Sequence, residues 1–263
     1  MSVRLASLAW PIIGINVLTV LALAVDTAMC GRLPNAALAL TGLGFATQVS
    51  FLLMVAMMGL TVGTVATVAR AHGAGDRERV AHTLRQSTQL TVLLGLGVAV
   101  LGNVLAGPIM VALGASPENV RSGLEYLRPM LSGATFSYLL ILYAAVCRGV
   151  GSTRLAFVVS ALQNLLNFVF NYALILGHWG FPALGVQGAA IGTVLSQIVA
   201  VGVMVALLRS GALPPVRLYL RPARVDMELA RSLVRAGMPA GVDMLLLNAS
   251  FLSIVGMLGR IDE

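Results

Sequence analysis

The stretch that decides the fold is Leu5–Leu33, LASLAWPIIGINVLTVLALAVDTAMCGRL. Between Arg4 and Arg32 its only charged residue is Asp26, and almost everything else is apolar. A helix needs about 20 largely apolar residues to cross a bilayer. The stretch therefore predicts a membrane-spanning helix that contains a single carboxylate.

The carboxylate of Asp26 is the feature of this span that needs a reason. An acid at the middle of a membrane helix costs about 2.5–3.5 kcal/mol on insertion. Such residues are usually retained because they bind a proton or a cation, or because they pair with a base. The arginines all fall in loops or at the ends of spans, so no base is well placed to neutralise Asp26. We therefore expect Asp26 to be protonated or occupied by a cation. The alternative is that it lies near enough to the outer interface to stay hydrated.

The composition places the whole chain in a membrane. Hydrophobic residues make up 58% of it and charged residues 10%, with a mean hydropathy of +0.92, whereas soluble domains carry about 25% charged residues. We predict an all-α membrane protein, a polytopic helical bundle. The predicted spans are Leu5–Leu33, Leu38–Ala69, Ser87–Leu113, Leu124–Cys147, Leu155–Leu176, Gly185–Leu208 and Ala236–Leu258.

The distribution of arginine predicts the orientation of the bundle. Counted over alternate loops, 13 of the 17 basic residues fall on the side of the N-terminus and 4 on the other side. Cytoplasmic loops are enriched in arginine and lysine. We therefore expect a multi-pass protein of the inner (cytoplasmic) membrane with its N-terminus in the cytoplasm and Asp26 in the outer half of the first span. This bias accounts for the net charge of +7, so membrane lipid, and not nucleic acid, is the expected partner.

The fifth predicted span carries a stripe of polar side chains. Its members recur at helical spacing on one face, with Gln163 beside it: Ser160, Asn164, Asn167 and Asn171. Lipid solvates amides poorly, so this face must look into protein or water. Two functions stay open for each residue, namely hydrogen bonding between helices and lining of a cavity, and for the stripe as a whole we favour a cavity lining. Further candidates for a cavity lining are Gln48, Thr193 and Gln197.

An internal repeat suggests how the chain is organised. Pro11 and Gly31-Arg32 are matched by Pro239 and Gly259-Arg260 at the same separation, and six spans lie between the two starts. A parallel repeat of this kind is typical of transporters built from two bundles. We predict a six-helix transmembrane lobe over 1–208, a cytoplasmic linker over 209–235 and, over 236–263, the first helix of a C-terminal lobe that is otherwise missing.

Several short motifs, taken in order, resemble one known family. They are Leu8-Ala-Trp-Pro11, Val25-Asp26-Thr27, His72-Gly-Ala-Gly-Asp76, Arg148-Gly-Val-Gly-Ser-Thr-Arg154, Asn167 with Asn171, and Leu184-Gly-Val-Gln-Gly-Ala-Ala-Ile-Gly-Thr193. Together they resemble the multidrug and toxic compound extrusion (MATE) family of cation-coupled efflux transporters.

This resemblance implies twelve helices in two six-helix lobes and a substrate cavity between the lobes. It implies export of drugs or organic cations, such as cationic amphiphiles, driven by H⁺ or Na⁺, with no cofactor besides that coupling ion. The family's cation site would correspond to Asp26 on the first helix and to Asn167 and Asn171 on the fifth. Some members carry a glutamate where this chain has Leu247, so Asp243, one turn earlier, is the candidate for a second-lobe site.

Three other functions are weighed against efflux. A lipid-linked oligosaccharide flippase of the same superfamily would carry basic residues in its cavity, and the spans contain none. An intramembrane enzyme is not expected, because the spans have no metal-ligand spacing and no Ser/His pair. The third alternative is a fragment that does not transport, because one lobe alone cannot form a two-lobed cavity unless it pairs with another copy.

Overall fold

A computed structural model describes residues 2–33, 36–211, 216, 218 and 224–259. Over these residues the chain is helical, and the expected all-α membrane architecture is confirmed. The helices are α1 (Ser2–Cys30), α2 (Ala36–Gly73), α3 (Arg77–Ala112), α4 (Pro117–Ser132), α5 (Ala134–Gly149), α6 (Thr153–Leu176), α7 (Val186–Ser210) and α8 (Met227–Gly259).

The lengths and compositions of these helices fit a bilayer. In the described part of the chain, α1, α2, α3, α6 and α7 are each long and apolar enough to cross, and α4 with α5 makes a sixth crossing if the bent pair is one span. The outer end of the bundle is the side where α1 ends and where α2, α4 and α7 begin. Its name follows the orientation that the arginine distribution predicts. The opposite side is the inner end.

The fourth predicted span, Leu124–Cys147, is bent in the structure, and its helix begins before Leu124. The structure begins this crossing at Pro117, where the Ser116 hydroxyl accepts a hydrogen bond from the backbone N–H of Asn119 at 3.3 Å. It then divides the crossing at Gly133 into α4 and α5, which are bent by 58°. A Cβ on Gly133 would lie 2.5 Å from the Val194 side chain of α7. The break therefore lies where α7 packs tightly against a glycine. Hydropathy alone does not reveal such a contact.

The last helix extends further toward the inner end than expected. The structure starts α8 at Met227 instead of Ala236, so the last part of the predicted linker is helical. Pro11 lies inside α1 and Pro239 inside α8, as the repeat requires. Arg260 lies outside the described residues. The division into lobes and linker stays a prediction.

Two kinds of packing hold the bundle together. The core centres on α5, where Leu142, Tyr143 and Cys147 are buried among side chains of α2, α3 and α7. At the edge, α1 packs mainly against α6 and leaves a broad apolar face exposed. Because lipid solvates apolar side chains, such a face is compatible with a bilayer or with another helix.

A separate, very close contact joins α2 and α8. A Cβ on Gly63 would collide with the backbone of Leu233, and one on Gly237 with the backbone of Gly59. The two helices run antiparallel, and each carries two glycines spaced by four residues, the second on α8 being Gly241. This spacing lets helix backbones approach closely in membranes, and sequence analysis overlooked it on both helices.

Candidate functional site

The structure brings Asp26 and Asn171 into direct contact. Asp26 lies one turn before the end of α1 and is half-buried, and Asn171 on α6 is 0% exposed. The Asn171 Nδ2 donates a hydrogen bond of 2.6 Å to the Asp26 Oδ1. Among the residues that the structure describes, the hydrogen-bond partner of the Asp26 carboxylate is therefore a neutral amide.

The other oxygen of this amide has an unusual environment. The Oδ1 of Asn171 is buried and has no hydrogen-bond partner among the residues that the structure describes. It lies against Gly192 of α7, where an added Cβ would collide with it. Helix α6 therefore packs closely on α7 at this point. A buried oxygen without a hydrogen-bond partner needs an explanation, and this one belongs to the amide that contacts Asp26.

The remaining amides of the α6 stripe divide between two functions. Asn167 donates to the Thr193 hydroxyl of α7 at 2.9 Å, and Gln163 donates to the Ser196 hydroxyl at 3.2 Å. Both are hydrogen bonds between helices. Asn164 instead donates to the Ser160 carbonyl of its own helix at 2.8 Å. Helical spacing placed these residues on one side of α6, but the positions of α1 and α7 determine which neighbour each one meets.

A small cavity lies between α1 and α6 at this site. Its volume is about 240 Å³, below the roughly 300–1,000 Å³ of pockets that hold drug-sized ligands. The lining is mostly apolar with three polar residues, and it consists of Leu18, Leu21, Ala22, Val25, Asp26, Ala161, Asn164, Leu165, Asn167 and Phe168. The space suits an ion and water, or one end of a larger molecule.

The other candidates lie outside this lining. Gln197, one turn after Thr193 on α7, accepts a hydrogen bond of 2.6 Å from the Ser137 hydroxyl of α5. Gln48 is half-buried on α2, and Asp243 is exposed on α8. In the described part of the chain no three side chains of the metal-ligating types lie together. Carboxylate and amide oxygens are ligands for protons and hard cations.

Sequence reasoning missed two residues of this site. Gly192 precedes the predicted Thr193, and its lack of a side chain makes room for the Asn171 oxygen. Tyr126 of α4 packs against buried Met29, Cys30 and Ile175 and lies within electrostatic range of Asp26. A residue three helices away along the chain offers no local signal that it shares a site with α1.

Comparison with known proteins gives one family. A family model described as MatE matches residues 11–173. The chain is 30% identical over 263 residues to a probable multidrug resistance protein NorM of Thermotoga maritima, in an alignment that covers 97% of this chain and 54% of that protein. The chain spans about half the length of the curated relatives it matches.

Solved structures resemble the chain to different degrees. An outward-facing conformation of a multidrug resistance MATE family transporter superposes with a TM-score of 0.82 at 25% identity, over 95% of this chain and 54% of that one. An inward-facing conformation of such a transporter gives a TM-score of 0.73 at 27% identity, over 87% of this chain and 50% of that one. Both similarities extend over most of this chain and about half of the other.

Proposed function

Since the chain belongs to the MatE family, we propose that it is the N-terminal part of a secondary transporter that exports organic cations and drugs in exchange for H⁺ or Na⁺. It would lie in the cytoplasmic membrane with its N-terminus in the cytoplasm. The observation that carries the proposal is the 2.6 Å hydrogen bond from Asn171 to Asp26. An acid paired with a neutral amide, and with no base beside it among the described residues, is free to take up and release a cation.

The Asn171 amide could serve both states of such a site. Its N–H donates to the Asp26 Oδ1 and would stabilise the ionised carboxylate. Once Asp26 is protonated it becomes a donor, and a rotated Asn171 amide would present its Oδ1 as the acceptor. If the ion is Na⁺, the same Oδ1 and the Asp26 carboxylate would both be ligands, with Asn167 as a further oxygen source nearby. A change at Asp26 would let α1 repack, with a bend near Pro11, and so bias the outward and inward states.

The substrate would bind mainly outside this chain's own cavity. The volume between α1 and α6 is too small for a drug-sized molecule, while its apolar lining and single carboxylate suit the end of a cationic amphiphile. We therefore propose that transport needs a second lobe, supplied by further sequence or by a second copy. This lobe and α1 would enclose a larger, substrate-binding cavity between them. Asp243 on α8 remains the candidate for a cation site on that side.

The test is substrate uptake into inverted membrane vesicles under separately imposed proton and sodium gradients, using the full-length protein. We expect one of the two gradients to drive uptake in the wild type. Asp26→Asn should abolish the gradient-driven part, while Glu125→Gln, which neutralises an exposed acid on α4, should not.

Normal gradient-driven uptake by Asp26→Asn would overturn the assignment of Asp26. Uptake under neither gradient by the wild type would overturn the proposed antiport. Equal insertion of both variants into the membrane, measured by immunoblot of washed vesicles, is the control for expression.

A further inference from the structure

Far from the cation site, at the inner end, Gln86 on α3 holds the segment that leads into α8. Its side chain is 1% exposed. The Nε2 donates to the backbone carbonyl of Arg224 at 2.9 Å, and the Oε1 accepts from the backbone N–H of Asp226 at 3.1 Å. One buried amide thus satisfies a donor and an acceptor of the main chain. Such a pairing fixes the register of the segment regardless of its side chains.

Asp226 extends this attachment to α8 itself. Its Oδ1 accepts a hydrogen bond of 3.0 Å from the backbone N–H of Leu229, in the first turn of α8. Its Oδ2 lies 3.3 Å from the Nε2 of His82, one turn before Gln86 on α3. The backbone N–H of Asp226 is held by Gln86, so both ends of this residue are tied down. Through it, α3 determines where α8 begins.

The close glycine contact between α2 and α8 lies only a few residues beyond this start of α8. Gly63 meets the backbone of Leu233, and Gly59 meets that of Gly237. Leu233 is only one turn beyond Leu229, so any shift of the start of α8 would open this contact at its inner end. The glycine contact and the attachment through Asp226 together hold α8 against α2 and α3 at the inner end.

We propose that Gln86 is a positioning residue that, together with His82 and Asp226, latches α8 onto α2 and α3 and thereby favours the outward-facing state. This inference rests on the proposed transport function. Opening toward the cytoplasm would require α8 to leave α2, and the two main-chain hydrogen bonds of Gln86 would be lost in that step. The latch acts on the balance between states and makes no contact with substrate or coupling ion.

The test measures the distance between spin labels on α3 and α8 by pulsed electron paramagnetic resonance, in the full-length protein in lipid nanodiscs. Exposed Arg79 and Val234 carry the labels, in a background with the buried Cys30 and Cys147 replaced by alanine. Gln86→Met keeps the shape of the side chain and removes both hydrogen bonds. Loss of the two hydrogen bonds predicts that the ratio of closed to open populations falls by about tenfold.

Two further variants make the result specific. Gln86→Glu keeps the acceptor for Asp226 and cannot donate to Arg224, so it should give an intermediate ratio. Gln187→Leu, an exposed glutamine at the outer end, should leave the ratio unchanged. If Gln86→Met does not fold, the distance distribution of Gln86→Glu tests the proposal instead. A distance distribution in the folded variant identical to that of Gln187→Leu would overturn the proposal, and this readout needs no transport, so it fails or succeeds independently of the antiport assay.

Discussion

The amide of Asn171 on α6 donates to the carboxylate of Asp26 on α1 across 2.6 Å, and this hydrogen bond joins the edge helix of the bundle to its polar interior. Because α1 packs mainly on α6, this hydrogen bond helps to fix the position of α1 against α6. The proposed coupling site is thus also part of the packing between these two helices.

Removing the amide should weaken the site without unfolding the bundle. Asn171→Leu leaves the Asp26 carboxylate without its donor, and hydrogen bonds to charged groups contribute about 1.5–3 kcal/mol. We expect gradient-driven uptake at low cation concentration to fall at least tenfold. Asn103→Leu is the matched control, since the Asn103 amide bonds the Ala99 carbonyl of its own helix and the Ser132 hydroxyl of α4 instead of Asp26. Equal uptake by the two variants would contradict the prediction.

The space at Gly192 should be needed for the same hydrogen bond. A methyl group there would collide with the Asn171 oxygen, and overpacking costs about 1–3 kcal/mol. We expect Gly192→Ala to lower both the thermal stability in detergent and the cation-driven uptake. Gly202→Ala, on the same helix in open space, should change neither. A Gly192→Ala protein as stable and active as Gly202→Ala would show that the site is not so tightly packed.

A methyl group at Gly63 should loosen α8 from α2. The backbone of Leu233 occupies the position of the new Cβ, and a backbone cannot move aside as a flexible side chain can. We expect hydrogen exchange of the amides between Leu233 and Gly241 to become faster in Gly63→Ala. Gly44→Ala, also on α2 but facing open space, provides the comparison. Unchanged exchange in Gly63→Ala would refute the close contact.

The start of α8 should be sensitive to acid. The backbone N–H of Leu229, and next the His82 side chain, hold the pKa of Asp226 below its ordinary value. A carboxyl whose pKa is lower in the folded state stabilises the fold above its ordinary pKa, and that contribution is lost as the pH falls through the lowered value. We therefore expect the attachment of α8 to be intact at neutral pH and to weaken below about pH 4.

Carbon-13 NMR of the Asp226 carboxyl across this range measures the effect. The midpoint should lie below that of an unstructured aspartate, and a midpoint at or above it would contradict the assignment. Asp226→Asn keeps an acceptor at the start of the helix and cannot titrate. Hydrogen exchange at Leu229 in this variant should therefore lose the change that the wild type undergoes at acid pH.

What the sequence determined by itself was the class of protein and the presence of one carboxylate, Asp26, within the first span. Long apolar runs can only be helices in lipid, because every backbone group must find its partner within the segment. The arginine count and the amide stripe on α6 follow from the same kind of local pattern. These features depend on composition and helical spacing, which are visible without knowing the neighbours.

Tertiary structure alone decided which neighbour each polar residue meets. Asn167 and Asn171 lie on one face of α6, yet the first bonds Thr193 on α7 and the second bonds Asp26 on α1. Three other features likewise depend on a neighbouring helix. They are the break at Gly133, the contact of Gly59 with Gly237, and the hydrogen bonds of Gln86 to the segment before α8. Helical periodicity gives the angle of a side chain around its own axis, but the partner at that angle is set by packing between segments distant in sequence.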